Sequence, residues 1–152
     1  MRDARTIGSW VLGLFLAVML VWIADLSLFP ATDARNVIFP MLADKSGYYI
    51  FEPTGRYVVS LAEVLAALLL ILPWTRRLGA ILAFLIAGGA VAAHIMWIGI
   101  SIPVETGSKT TDGGQLFYLA IALAVASLLL IFVHPGKEND AGMSSRTGYY
   151  GR

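Results

Sequence analysis

The stretch YVVSLAEVLAALLLILPWTRRLGAILAFLIAGGAVAAHIMWIGI, residues 57–100, is two long apolar runs joined by WTRR at residues 74–77. A helix needs about 20 apolar residues to cross a hydrocarbon core, and each run is near that length. Water is missing at that depth, so each backbone must satisfy its own hydrogen bonds and both runs must be helical. So short a turn makes them a tight antiparallel hairpin. Blocks of the same kind lie before and after it. The sequence therefore predicts four spans, at residues 7–24, 57–73, 78–100 and 115–133, and an all-α integral membrane protein folded as a four-transmembrane-helix bundle. Three spans carry no Asp, Glu, Lys or Arg; the second carries one, Glu63.

The bulk composition agrees. Of 152 residues, 58% are hydrophobic and 14% charged, whereas a soluble domain carries about 25% charged residues. The mean hydropathy is +0.75. These values exclude a disordered chain, a nucleic-acid binder with a basic face and an ordinary soluble enzyme. The expected partner is a lipid bilayer, with no nucleic acid. The net charge of +1 points to no other. The chain has no cysteine, which removes disulfides, thiol redox chemistry and thiolate-bound metals. The basic start at residues 1–5 suits a signal peptide. The apolar block after it, however, exceeds the usual stretch of about 7–15 residues, and no small-residue cleavage site follows. It reads as a retained anchor.

Orientation follows from the basic residues. Arg2, Arg5, Arg76, Arg77, Lys137, Arg146 and Arg152 fall on one side, and Arg35, Lys45, Arg56 and Lys109 on the other. Short segments rich in Lys and Arg stay cytoplasmic, so both termini and the 74–77 turn are expected inside. Trp10 and Trp74 then sit near inner helix ends and Trp22 and Trp97 near outer ends, as an aromatic belt requires. The loop at residues 25–56 is too long for a simple link, and too apolar, with Val37, Ile38, Phe39, Met41, Tyr48, Tyr49 and Phe51. A structured outer cap is expected there, with a short helix starting at Asp33 and disturbed by Pro40. Residues 1–134 form the membrane domain, and residues 135–152 read as a flexible polar tail.

Helices in lipid associate through small residues and through polar side chains that bridge them. Gly79, Ala83, Ala87, Ala90 and His94 share a face of the third span, and Ser60, Glu63 and Ala67 a face of the second. Gln115, Tyr118, Ala122 and Ala126 share a face of the fourth, and Gly13 and Ala17 of the first. These faces are the expected bundle interior. Glu63 lies six residues below Tyr57 and His94 six residues short of Ile100, each about 9 Å below the outer end at about 1.5 Å per residue. Tyr118 lies three residues into the fourth span from the same side. Glu63, His94, Tyr118, Gln115 and Ser60 therefore reach similar levels in the outer half.

An ionisable side chain inside a span is a functional candidate by default, because its insertion is unfavourable by a few kcal/mol. Two roles stay open for Glu63 and His94. They are either a buried hydrogen-bonded pair that fixes helix register, or the lining of a pocket that holds a polar head group or carries a proton. The segment Thr111–Asp112–Gly113–Gly114–Gln115 opens the fourth span, with Asp112 near the N-cap. Asp112, Gly113, Gly114 and Arg56 are candidates for the outer mouth of such a pocket. A bis-histidine haem is not expected, since His94 is in the outer half and His134 at the inner end. Two distant His and no Cys build no metal site. One buried carboxylate and one His are thin for catalysis by this chain alone, and no residue is assigned a catalytic role.

The motifs of residues 51–94 together resemble the DoxX-like family of small four-span bacterial membrane proteins. They are EP-x-GR before the second span, Glu63 within it, the PWTRRLGA turn and G-A-x-x-x-H late in the third. The DGG of residues 112–114 completes the set. The sequence departs from the family in the first span, where WIADL at residues 22–26 replaces the usual G-x-x-K-L. The resemblance implies a four-helix bundle in the bacterial inner membrane, with Glu63 and His94 at the family's intramembrane acid and histidine. It also implies a loose association with membrane redox chemistry, including a subunit of a thiosulfate–quinone oxidoreductase and assemblies with oxidoreductases under oxidative stress.

Three functions compete. The first is a non-catalytic or redox-associated component of a membrane oxidoreductase system, with an outer-half pocket for a quinone-like or lipidic molecule. The second is a structural accessory subunit of a larger membrane complex, docking through the outer loop and the tail onto membrane-protein partners. The third is a small proton-coupled transporter gated by Glu63, which four helices allow only as a homo-oligomer.

Overall fold

The computed structural model describes residues 2–29 and 37–133. The elements are α1 (Arg2–Leu28), α2 (Ile38–Ser46), a single 3-10 turn (Tyr49–Phe51), α3 (Thr54–Ile71), α4 (Arg76–Ala93) running on into a π turn (His94–Ile98), and α5 (Gln115–Val133). Four helical segments are long and apolar enough to cross a membrane: Thr6–Leu28, Thr54–Ile71, Arg76–Ile98 and Gln115–Val133. Among the described residues the chain is all-helical, with the four apolar helices of a multi-pass membrane protein. The span boundaries differ from the sequence reading by a few residues, and for local reasons. Helix α3 stops at Ile71 because Leu72 precedes Pro73 and takes the extended conformation, with φ −80° and ψ 122°, that a pre-proline residue favours. The third span stops at Ile98 because Gly99 turns the chain at φ 89°.

The helices close into a ring in which α1 packs on α3 and α5, and α4 on the same two. Leu16, Leu20, Ala66, Leu70, Ala83 and Leu123 meet at its centre. The outside is as apolar as the inside: Val18, Leu61, Leu85 and Phe132 are each more than half exposed, as a lipid-facing surface requires. Helices α3 and α4 cross closely at Gly79. A Cβ there would lie 2.7 Å from the backbone nitrogen of Leu70 and 2.9 Å from the carbonyl carbon of Leu69.

At the turn end of this hairpin the final carbonyls of α3 have no intrahelical partner. Thr75 Oγ1 donates to the Leu69 carbonyl at 2.9 Å, and Arg76 Nε to the Leu70 carbonyl at 3.0 Å. A cation beside a helix C-terminus is also favoured by the helix dipole.

The opposite end of the bundle is capped. Helix α2 sets Leu42 against Ile98 and Ile102, and Lys45 Nζ reaches the Ile98 carbonyl at 3.4 Å. Of the helix expected from Asp33, that residue lies outside the described residues. The described helix starts at Ile38 and runs through Pro40 undisturbed. Pro40 sits in the first turn, where backbone N–H groups have no helical partner to lose. The connection from α4 to α5 folds back on itself at the same end. Pro103 pairs with Thr111, and the Asp112 N–H donates to the Ile102 carbonyl at 2.9 Å. The tail at residues 135–152 lies outside the described residues.

Candidate functional site

Ser60 and Glu63 lie on the inward face of α3 and are buried, as is His94 on the third span. The π turn explains how His94 is held. Widening the helix by one residue lets the Gly99 N–H donate to the His94 carbonyl at 2.8 Å, and brings the Gly99 carbonyl 2.7 Å from the ring Nδ1. A carbonyl only accepts, so Nδ1 carries the hydrogen and Nε2 is left with the lone pair in the neutral ring. Single π turns inside α-helices occur frequently at functional sites. The Phe117 ring, 5.6 Å away between centroids, covers one side of the imidazole.

Glu63 and His94 line one chamber of about 90 Å³ near the centre of the bundle, towards the capped end. Its other walls are apolar: Leu20 and Ile23 from α1, Ile86, Ala87 and Ala90 from α4, Leu116, Leu119 and Ala120 from α5, and Ile38 from α2. Glu63 and His94 do not hydrogen-bond each other in this arrangement. Among the described residues, Glu63 Oε2 and Ser60 Oγ are buried without any hydrogen-bond partner. A buried polar oxygen left so is unfavourable by about 1–3 kcal/mol. Water meets that need in protein interiors where space allows, and about 10–15 Å³ of such space takes one molecule. The chamber is smaller than the about 150 Å³ that holds a benzene ring.

A second cavity of about 380 Å³ lies beyond it at the capped end, between the end of α1, the start of α2 and the α4–α5 connection. Ser27, Glu105, Asp112 and Gln115 give it a polar rim, and Ile23, Ile38 and Leu116 belong to the walls of both cavities. This vestibule is within the about 300–1,000 Å³ of small-molecule sites.

The inward face assigned to α5 needs correction. Tyr118 is 62% exposed and points away from the bundle; Gln115 and Ala122 are exposed as well. Leu123, Ser127 and Leu130 face inward instead, with Ala126. Gln115 lines the vestibule, not the chamber. Helix α5 is apolar on every side, so its two polar end residues marked no buried face.

Asp112 organises the vestibule. Its Oδ1 accepts the N–H groups of Ile102 and Gly114 at 2.9 Å each, and its Oδ2 that of Leu116 at 3.1 Å. Burial raises the carboxyl pKa, but those three N–H groups outweigh it and hold the group below its ordinary value. Gly113 and Gly114 have φ of 62° and 86°, and a Cβ on Gly114 would press on Ile100 Cγ2 at 3.1 Å. Arg56 lines neither cavity. It pairs with Glu52 at 3.1 Å, donates to the Ser27 carbonyl at 3.4 Å and so ties the end of α1 to the start of α3.

The sequence reading missed Arg76 as a buried group. The sequence marks it only as a basic residue of the turn, yet it is 2% exposed. Its guanidinium stacks 3.8 Å above the Trp10 ring and Nη1 donates to Ser9 Oγ at 3.3 Å. Gly13 makes the space, since a Cβ there would lie 3.3 Å from Arg76 Nε. The four-residue step from Ser9 to Gly13 on α1 was the signal that could have found it. Among the described residues no three of His, Asp and Glu gather as a metal ion would need. Comparison with protein-family models, curated proteins and solved structures found no match to this chain.

Proposed function

We propose that this chain is a DoxX-like protein of the bacterial inner membrane, a non-catalytic component of a membrane redox system that holds a quinone- or lipid-like molecule. The capped end is outer and the termini cytoplasmic, as the placement of Lys and Arg favours. One observation carries the ligand reading: the intramembrane Glu63, with Oε2 unpartnered among the described residues, and His94 line one chamber directly beyond a vestibule of ligand size. The polar head occupies the vestibule, where Gln115 and the N-terminal end of α5 meet it, and Glu63 and His94 lie behind as proton-exchanging groups. The motif order at residues 51–94 and 112–114 supports the redox association.

The test is extraction of the protein from its own membranes in a mild detergent, with the native mass and every copurifying molecule identified. A particle of one or a few chains carrying a quinone or lipid, lost in Glu63→Gln without loss of assembly, is the expected result. Absence of any such molecule, together with an unchanged linked oxidation rate in Glu63→Gln, refutes it. A second reading, the structural accessory subunit, draws on Tyr48, Tyr49 and Ile50, which are 62%, 76% and 69% exposed side by side at the capped end outside the spans. A large particle with other subunits, dispersed by Tyr49→Ser and Ile50→Ser, would favour it.

A further inference from the structure

We infer that the Glu63–His94 chamber is filled with water from the capped end, through the vestibule, across a constriction made by Ile23, Ile38 and Leu116. This goes beyond the ligand reading and holds whether or not the vestibule takes a quinone- or lipid-like molecule.

Three observations carry it. The first is need. Glu63 Oε2 is buried at membrane depth without a partner among the described residues, and the Nδ1 hydrogen bond to Gly99 leaves His94 Nε2 as an acceptor. Two polar groups on the walls of one chamber of about 90 Å³ provide both the volume and the hydrogen-bonding partners that buried water needs. The second is direction. Every residue lining the chamber is buried or half-buried, and none is fully exposed. The vestibule wall, by contrast, includes Glu105 and Gln115, both exposed. The exposed polar side chains on these two walls therefore lie at the capped end. The third is continuity. Ile23, Ile38 and Leu116 belong to both walls, and each comes from a different helix. Three apolar side chains at the junction admit water and other small solutes in single file and exclude larger ones. Ile38 is carried by α2, which gives the cap a second task besides covering the bundle.

The chain has no cysteine, so its accessibility can be mapped with single introduced thiols and no background. Ala90 lines the chamber, whereas Ala92, two residues on in the same helix, is exposed on the outside. Full-length Ala90→Cys and Ala92→Cys proteins in native membranes are treated with silver ion in chloride-free buffer, a thiol reagent close to water in size, and modification is followed by intact mass. Only a thiolate reacts, and an apolar surrounding suppresses the thiolate. A thiol pKa difference of about two units makes the hydrated site react about 100-fold faster. Ala90→Cys is expected to react at least that much faster than Ala92→Cys. Adding Ile38→Trp, or separately Leu116→Phe, slows it about tenfold, equal to a barrier of about 1.4 kcal/mol. Gln115→Cys at the vestibule rim keeps its rate in both backgrounds, which shows that the fold is intact. If Ala90→Cys reacts no faster than Ala92→Cys, the chamber is dry and the inference fails. If it reacts fast but neither bulky side chain slows it, the route through Ile23, Ile38 and Leu116 is wrong.

Discussion

Replacing Gly79 with Ala adds one methyl group where two helix backbones cross. The new Cβ would stand 2.7 Å from the Leu70 nitrogen, 2.9 Å from the Leu69 carbonyl carbon and 3.0 Å from the Ala66 carbonyl oxygen. All three are backbone atoms of α3, so no side chain can swing aside. Reaching ordinary contact at 3.4 Å requires α3 and α4 to part by about 0.7 Å. A gap of that size forfeits a quarter to a half of each dispersion contact, and each contact is worth about 0.1–0.2 kcal/mol. Over roughly 40 atom pairs at the crossing the loss is about 2 kcal/mol. Ala regains about 1 kcal/mol in helix propensity, which leaves Gly79→Ala about 1 kcal/mol less stable, at the low end of overpacking effects.

Gly88 and Gly89 in the same helix provide the control, because a Cβ at either meets no atom within 4 Å. Gly88→Ala should therefore gain from propensity alone, by up to about 1 kcal/mol. The two variants should then differ by about 2 kcal/mol, or about 4–8 °C in thermal midpoint for a chain of this size. Circular dichroism during heating in one mild detergent reads both. Equal midpoints for Gly79→Ala and Gly88→Ala would refute the close backbone crossing and, with it, the packing of the hairpin.

Arg76→Lys keeps the charge but loses the fork that joins the Leu70 carbonyl to Ser9 and the planar stack on Trp10. It should destabilise the protein by about 1–3 kcal/mol, whereas Arg77→Ala, on an exposed residue, stays within about 0.5 kcal/mol; the same thermal assay compares them, and equal effects would count against a buried guanidinium. Asp112→Ala removes the acceptor of three N–H groups and should cost about 1–2 kcal/mol, as loss of a helix cap does, with faster amide exchange at Ile102, Gly114 and Leu116 as its local signature. Because the folded Asp112 pKa is depressed from 3.8, its contribution is fully present above that value and is lost as pH falls through the lower folded pKa. Exchange at those three amides should accelerate with acid only in that window, beyond the intrinsic pH dependence; equal exchange at those amides in wild type and Asp112→Ala at neutral pH would show that the carboxylate does not hold the loop.

The four spans were legible in the sequence because the bilayer imposes a length and a composition that few other settings do. The α5 boundaries agree with the structure at both ends, and the small-residue faces of α1, α3 and α4 are the packed ones. Those three faces could be read because Gly, Ala, Ser and Glu contrast with the Leu and Val that face lipid. Helix α5 offers no such contrast. Lipid and bundle interior are equally apolar, so periodicity cannot separate them, and its polar end residues pointed to the wrong face. The depth match of Glu63 and His94 was likewise a matter of counting residues along helices. What only the tertiary structure decided depends on side chains from separate elements: the burial of Arg76 beneath Trp10, the π turn that holds His94 to Gly99, and the meeting of Ile23, Ile38 and Leu116 between two cavities. A linear pattern records spacing along one helix, whereas these arrangements depend on how far helices approach and how they are rotated, which the packing of all the spans sets together.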